Sequence, residues 1–355
     1  MRILLIGAGD IGCRIANGVG AFPGVDEVVL AGLSQGTGPS LAGNIALNTG
    51  TPVRFVPLDG TDQAAIEKLL REVRPGLIAQ CGTLLPPGLV RARADDLGRA
   101  LAAAGPAALL TCQIPLLLTL MRAVRAVGYE GPVTNLTLPD STHAPLAKLG
   151  LAPTVGLGNV TMAWLRVRAE VRRLALASGR EAETTIRLLA HQHHLRAVGD
   201  ARKPEREEDT CQVYLGEQGQ RADDLAYTGI AVGRGANELS AAASVRLLQA
   251  FLPEAPETRI SASGPLGLTG GYPIRIHDGH LDLDLPPGLS QDEAAAFNRR
   301  GSERQGIANI ENDGTIVFGE KVVRALAGIA PRFAEPLRLD DALSRCNELK
   351  AMLMA

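Results

Sequence analysis

Arg2-Ile3-Leu4-Leu5-Ile6 runs directly into Gly7-Ala8-Gly9-Asp10-Ile11-Gly12, so an apolar stretch long enough for one buried strand ends in a complete G-x-G-x-x-G. Few local sequences restrict a fold so tightly. The first glycine permits a tight turn off the strand, the second lets the backbone approach a pyrophosphate, and the third lets the next helix pack on the sheet. The helix expected from Asp10 has an apolar face of Ile11, Ile15, Ala16 and Val19, and Glu27-Val28-Val29-Leu30-Ala31 supplies a second strand. Its N-terminus would bring unpaired amides and the positive end of a helix dipole to a phosphate. The stretch predicts a dinucleotide site, with Gly7, Gly9, Asp10, Ile11 and Gly12 around the pyrophosphate. A plain glycine-rich βα turn is the alternative.

The segments that follow extend a doubly wound parallel sheet. The second strand ends in Gly32-Leu33-Ser34-Gln35-Gly36, where an NAD-specific site places an acid for the ribose hydroxyls. No acid stands there, so Ser34 and Gln35 favour NADP, with NAD held through Asp59 as the other reading. Val53 to Leu58 reads as a third strand, Thr61 or Asp62 caps a helix whose apolar stripe is Ile66, Leu69, Leu70 and Val73, and Leu77 to Gly82 reads as a fourth strand. The ends of strands one and four border the crevice of such a sheet, which places Cys81 and Gly82 beside the cofactor. Val133 to Thr137 is the next strand, and Asp140-Ser141-Thr142 beyond it either meets the substrate region or caps a helix.

Beyond residue 150, helices are expected at 159–176 and 236–252 and strands at 184–190, 211–215 and 259–263. A hairpin should turn at Asp278-Gly279, and the chain should be helical from Ser290 apart from a break at Asn312-Asp313-Gly314. The charged run 199–210 reads as a solvated tip. Its neighbour, His191-Gln192-His193-His194, carries residues whose unperturbed pKa suits proton transfer to a developing oxyanion or amine. On a strand, His191 and His193 would share a face. An acid/base role, a zinc pair and plain packing remain open for them.

Composition narrows the partners. Aromatic residues are only 3% of the 355, the net charge is −2, and no basic block occurs, which argues against nucleic-acid and membrane-surface binding. Five scattered cysteines without C-x-x-C spacing fit a reducing cytoplasm and no zinc site. The apolar run at the N-terminus is too short for a signal peptide, and no uninterrupted apolar window reaches transmembrane length.

The order of elements past residue 130 resembles the lactate/malate dehydrogenase superfamily. The similar pieces are the strand around Asn135, the Gly156 to Trp164 passage, a strand leading to histidine, the 236–252 helix, and Gly271-Tyr272-Pro273-Ile274 before a final helix. The resemblance implies that Asn135 touches the nicotinamide ribose region and that His193 is the catalytic histidine, oriented by a neighbour such as His191 or Asp140. It also implies an aspartate near Thr161, a substrate-binding arginine near Trp164, and arginines in the loop now occupied by Leu84-Leu85-Pro86-Pro87. None of these is present, so simple lactate or malate chemistry is not expected. The helix at 62–73 makes the first part similar to saccharopine- or opine-type dehydrogenases.

The sequence thus predicts an α/β chain with a Rossmann NAD(P)-binding domain over 1–150 and an α+β substrate and oligomerisation domain over 151–355, the last helices able to return to the first. The expected activity is hydride transfer between NAD(P) and the carbonyl or hydroxyl carbon of a small polar substrate, in a homo-oligomer. Imine reduction and a non-catalytic NAD(P)-binding redox sensor are the alternatives.

Overall fold

The computed structural model describes residues 1–179, 184–229 and 236–354. Its first half alternates strand and helix: β1 (Arg2–Ile6), α1 (Asp10–Gly20), β2 (Glu27–Gly32), α2 (Gly38–Thr49), β3 (Val53–Pro57), α3 (Gln63–Val73) and β4 (Leu77–Gln80). Three helices, α4 (Pro87–Arg91), α5 (Asp96–Ala104) and α6 (Leu110–Val127), precede β5 (Val133–Asn135), α7 (Pro139–Ala147) and β6 (Val155–Gly156). These six strands lie parallel in the order 3-2-1-4-5-6. That order reverses between β1 and β4, which opens a crevice at their carboxyl ends. The fold class is as the sequence predicts.

Burial on both faces explains the continuous apolar strands. In β1, Leu4 and Ile6 point into one core with α3, α5 and α6, while Ile3 and Leu5 point into the other with α1. Strands covered on both sides lose the polar alternation of half-exposed ones.

The second half begins with α8 (Asn159–Ala177) and β7 (Ile186–Leu189), then α9 (Leu195–Gly199), β8 (Gln212–Leu215), β9 (Gln220–Arg221) and α10 (Ala236–Gln249). Strands β10 (Thr258–Ser263), β11 (Gly271–His277) and β12 (His280–Leu283) continue the parallel sheet in antiparallel fashion beyond β6, giving nine strands in all. The β11–β12 turn falls at Asp278 and Gly279, both with positive φ, as Asp-Gly favours. The chain ends in α11 (Gln291–Gln305), a hairpin of β13 (Ile307–Ile310) and β14 (Ile316–Phe318), α12 (Glu320–Leu326) and α13 (Ala342–Met354). Leu326 and Leu349 join the core beneath α5 and α6.

Three expectations need correction. Helix α2 was not foreseen, because Gly38-Pro-Ser-Leu-Ala-Gly-Asn carries little apolar periodicity and buries only Gly38, Ala42 and Ile45. The stretch around Asn312-Asp313-Gly314 is a hairpin turn instead of a break between helices. Strand β7 stops at Leu189, so the alternation expected for the histidines does not occur; Gln192–His194 is a 3-10 turn. The one described segment long and apolar enough to cross a membrane, Pro106–Val127, has 83% of its most apolar window buried in the molecule.

Candidate active site

The glycine turn fits together by close approach. Gly7 adopts φ +113°, and a Cβ there would lie 2.4 Å from the Gly82 amide nitrogen; one on Gly12 would lie 2.0 Å from the Gly7 carbonyl oxygen. Both positions exclude a side chain. Gly9 differs, since a Cβ on it would meet nothing within 4 Å. It caps α1 in an extended conformation with no side-chain hydrogen bond, leaving the first-turn amides of Asp10 and Ile11 facing the turn. The Asp10 carboxylate is engaged elsewhere: it accepts from Arg14 Nε and from Asn237 Nδ2 on α10, both at 2.9 Å. Open space before an uncapped helix N-terminus is what a dinucleotide pyrophosphate requires.

Ser34 and Gln35 lie exposed in the loop after β2, as expected, with the Ser34 carbonyl accepting from the Gly38 amide at 2.8 Å. Asp59 lies beyond β3, and its carboxylate accepts from Thr61 N (2.9 Å) and Oγ1 (2.7 Å); the backbone bond holds its pKa below the usual range. Cys81 is adjacent to the glycine turn, and burial pushes its thiol up to about 12. The Gly82 turn is clamped by buried Gln80, which accepts from Gly82 N at 2.6 Å and donates to Gly82 O at 3.0 Å.

Asn135 ends β5 fully buried. Its Oδ1 accepts from Thr137 N (3.1 Å) and Oγ1 (2.8 Å), and its Nδ2 lies 3.1 Å from His143 Nε2. His143 places Nδ1 2.8 Å from the Gly264 carbonyl, so Nδ1 carries the proton and Nε2 accepts from Asn135. Burial lowers its pKa to about 4. From sequence this histidine stands only among the polar groups that follow β5, near the expected nicotinamide ribose and substrate, with no role of its own.

Asp140 is also completely buried. It accepts from Asn159 Nδ2 (2.7 Å) and from the Gln192 amide (3.1 Å), tying α7 to the start of α8 and to the histidine turn. Desolvation raises its pKa against these bonds.

The three adjacent histidines occupy different environments. His191 and His194 are buried, with pKa values lowered by burial to about 3. His191 Nδ1 accepts from His193 N, and His194 Nδ1 accepts from His191 N, so the pair caps its own turn. His191 also lies against Gly301 of α11, where a Cβ would come within 2.6 Å of its own Cβ. His193 alone remains partly open. It lines a cavity of about 280 Å³ with Glu208, Arg300, Gly301, Glu303 and Arg304, and its Nε2 lies 3.4 Å from Asp209 Oδ1. Burial lowers its pKa while Asp209 opposes the shift. Asp209 belongs to the charged run read from sequence as a solvated tip; instead it packs against His193 and pairs with Arg304 Nε at 3.3 Å.

The positions that depart from the dehydrogenase pattern are structural here. Thr161 Oγ1 donates to the Ser261 carbonyl at 2.9 Å, and Trp164 Nε1 to the Ile186 carbonyl at 3.0 Å. Arg93 pairs with Asp95 and reaches the Leu353 carbonyl.

No family model matches the chain, and no curated protein matches it by sequence. Solved structures do. A malate dehydrogenase from Cryptosporidium parvum is 16% identical over 86% of this chain and 96% of its own, with a TM-score of 0.52. A lactate dehydrogenase from Eimeria maxima, solved with NADH and oxamate, is 14% identical over 85% of this chain and 91% of its own, also with a TM-score of 0.52. A lactate dehydrogenase from a Medee basin deep-sea metagenome library is 12% identical over 85% and 96%, at 0.50. The likeness runs through both halves of the molecule, and this chain has the fold of the lactate and malate dehydrogenases.

Proposed function

We propose that the protein is an NAD(P)-dependent oxidoreductase that moves a hydride between the nicotinamide and the carbonyl or hydroxyl carbon of a small polar substrate other than lactate or malate. The observation that carries this reading is Gly9, open to space at an uncapped helix N-terminus on the crevice of a 3-2-1-4-5-6 sheet. The nicotinamide, when bound, supplies or accepts the hydride. Gly7 and Gly12 shape the turn, and the amides of Asp10 and Ile11 hold the pyrophosphate. Ser34 and Gln35 receive the adenine ribose without repelling a 2′-phosphate, so NADP is preferred or equal. Cys81, Gly82 and Asn135 form the floor of the crevice.

His193 moves the proton, oriented by Asp209 in place of the aspartate absent at Thr161. His191 and Asp140 act indirectly by fixing the turn that carries it. Because burial lowers the His193 pKa, the neutral ring is favoured near pH 7, ready to accept a proton from an alcohol; donation in the reductive direction is favoured by lower pH.

Turnover on a panel of 2-oxo acids, aldehydes, ketones and keto acid–amine mixtures tests the reading. The imine substrates belong in it because Thr161 and Trp164 remove the expected 2-hydroxy-acid machinery. Binding of NAD(P)H without turnover on any of them would favour a sensor, and a rate on pyruvate or oxaloacetate within about 1 to 1,000 s⁻¹ would overturn the exclusion of simple substrates.

A further inference from the structure

Between α8 and α10 lies a group of cations with no part in the reaction proposed above. Arg168 from α8 and Arg246 from α10 each hold a guanidinium carbon 5.7 Å from the centre of the Trp164 ring. Arg172 follows Arg168 by one helical turn. Among the described residues none of these three arginines forms an ion pair, whereas the acid on the same helix, Glu170, is gripped by Arg173 at 2.8 and 2.7 Å. The Nε atoms of Arg246 and of neighbouring Arg166 are buried without a hydrogen-bond partner. Burial and mutual repulsion lower the pKa of Arg168 and Arg246. Clustered like charges and buried N–H groups without acceptors are costly, and an anion removes both costs together.

We propose that Arg168, Arg172 and Arg246 form a binding site for a compact, multiply charged oxyanion, the phosphate group of a small ligand, held by guanidiniums that lie beside the buried Trp164. The planar guanidinium matches phosphate bidentately, and the cation–π contact with the indole favours two of the three forks at this place before the ligand arrives. Three clustered positive charges suit a dianion better than a single carboxylate. The site shares no residue with the glycine turn, although α10 links them: Asn237 bonds Asp10 at one end, and Val245, beside Arg246, packs against Gly18 of α1.

Trp164 is the only tryptophan in the chain, so its fluorescence reports this place alone. Inorganic phosphate and then pyrophosphate are titrated at constant ionic strength, balanced with chloride. The expected result is a saturable change in emission, with affinity weakened about tenfold or more in Arg168→Gln and Arg246→Gln. Arg172→Gln, exposed and off the ring, should weaken phosphate while leaving the emission of the free protein and its NAD(P)H affinity unchanged. It keeps the test decisive if either stacked variant fails to fold. Gly9→Leu should keep the phosphate response, which separates this site from the dinucleotide cradle and its failure from that of the oxidoreductase reading. A response that follows ionic strength without saturating, disappears in Gly9→Leu, or survives Arg172→Gln intact would overturn the proposal. So would one that follows protein concentration, since the arginines would then meet a second copy of the chain.

Discussion

Two glycines three residues apart should respond differently to enlargement. Gly9 has open space where a side chain would stand, so Gly9→Leu should abolish NADPH and NADH binding by fluorescence titration while leaving the melting temperature within a few degrees of the parent. At Gly12 a Cβ would press on the Gly7 carbonyl oxygen, so Gly12→Ala should lower stability as well as affinity; overpacking of this kind costs about 1–3 kcal/mol. His193→Ala should reduce turnover roughly 100- to 10,000-fold with cofactor affinity unchanged. His191→Ala and His194→Ala should lose stability first, because both rings are buried and cap their own turn. Asp209→Asn should shift the pH profile of turnover to lower pH, since the carboxylate raises the His193 pKa; an unshifted profile would remove Asp209 from the site. The glycine turn was legible because its demands are steric and contained in six consecutive residues. The partner of His193 was not, because Asp209 lies 16 residues away within a run whose composition signals only solvation.

Elements were legible where apolar residues form a continuous run or repeat at a fixed period. Strands β1 to β5 and helix α3 followed from such runs, and Asp62 caps α3 through the Ala65 amide as its position suggested. Helix α2 escaped because small residues hold it against Phe55, leaving no stripe to read; a Cβ on Gly38 would fall 2.4 Å from that ring. The 307–318 hairpin escaped because its exposed Asn309 and short strands lack alternation. The β2–α2 connection makes its own prediction. With Ser34 and Gln35 exposed and Asp59 engaged by Thr61, NADPH should bind at least as tightly as NADH; a strong NADH preference in paired titrations would return the ribose to Asp59.

For the whole molecule, acidity should matter more than net charge suggests. His143, His191 and His194 have pKa values of about 4, 3 and 3 against an ordinary 6.5. Below pH 6.5 the unfolded chain takes up protons that the folded protein refuses, so stability falls as pH falls. Asp140, with its pKa raised, acts in the opposite sense but is one group against three. Urea midpoints should therefore decline steeply from pH 6.5 toward 4, and His143→Gln should flatten the slope; a level profile would contradict the assignment of neutral buried rings.

The packing of α13 on α6 constrains how the protein is made. Thr111 Oγ1 donates to the Ala342 carbonyl at 3.0 Å, and Cys112 and Leu117 share a core with Cys346 and Leu349. A ribosome therefore completes all six parallel strands and α6 long before it delivers the helix that covers the outer flank of α6. Until then the growing chain exposes a greasy flank of α6, and a holding chaperone should be most needed in that interval.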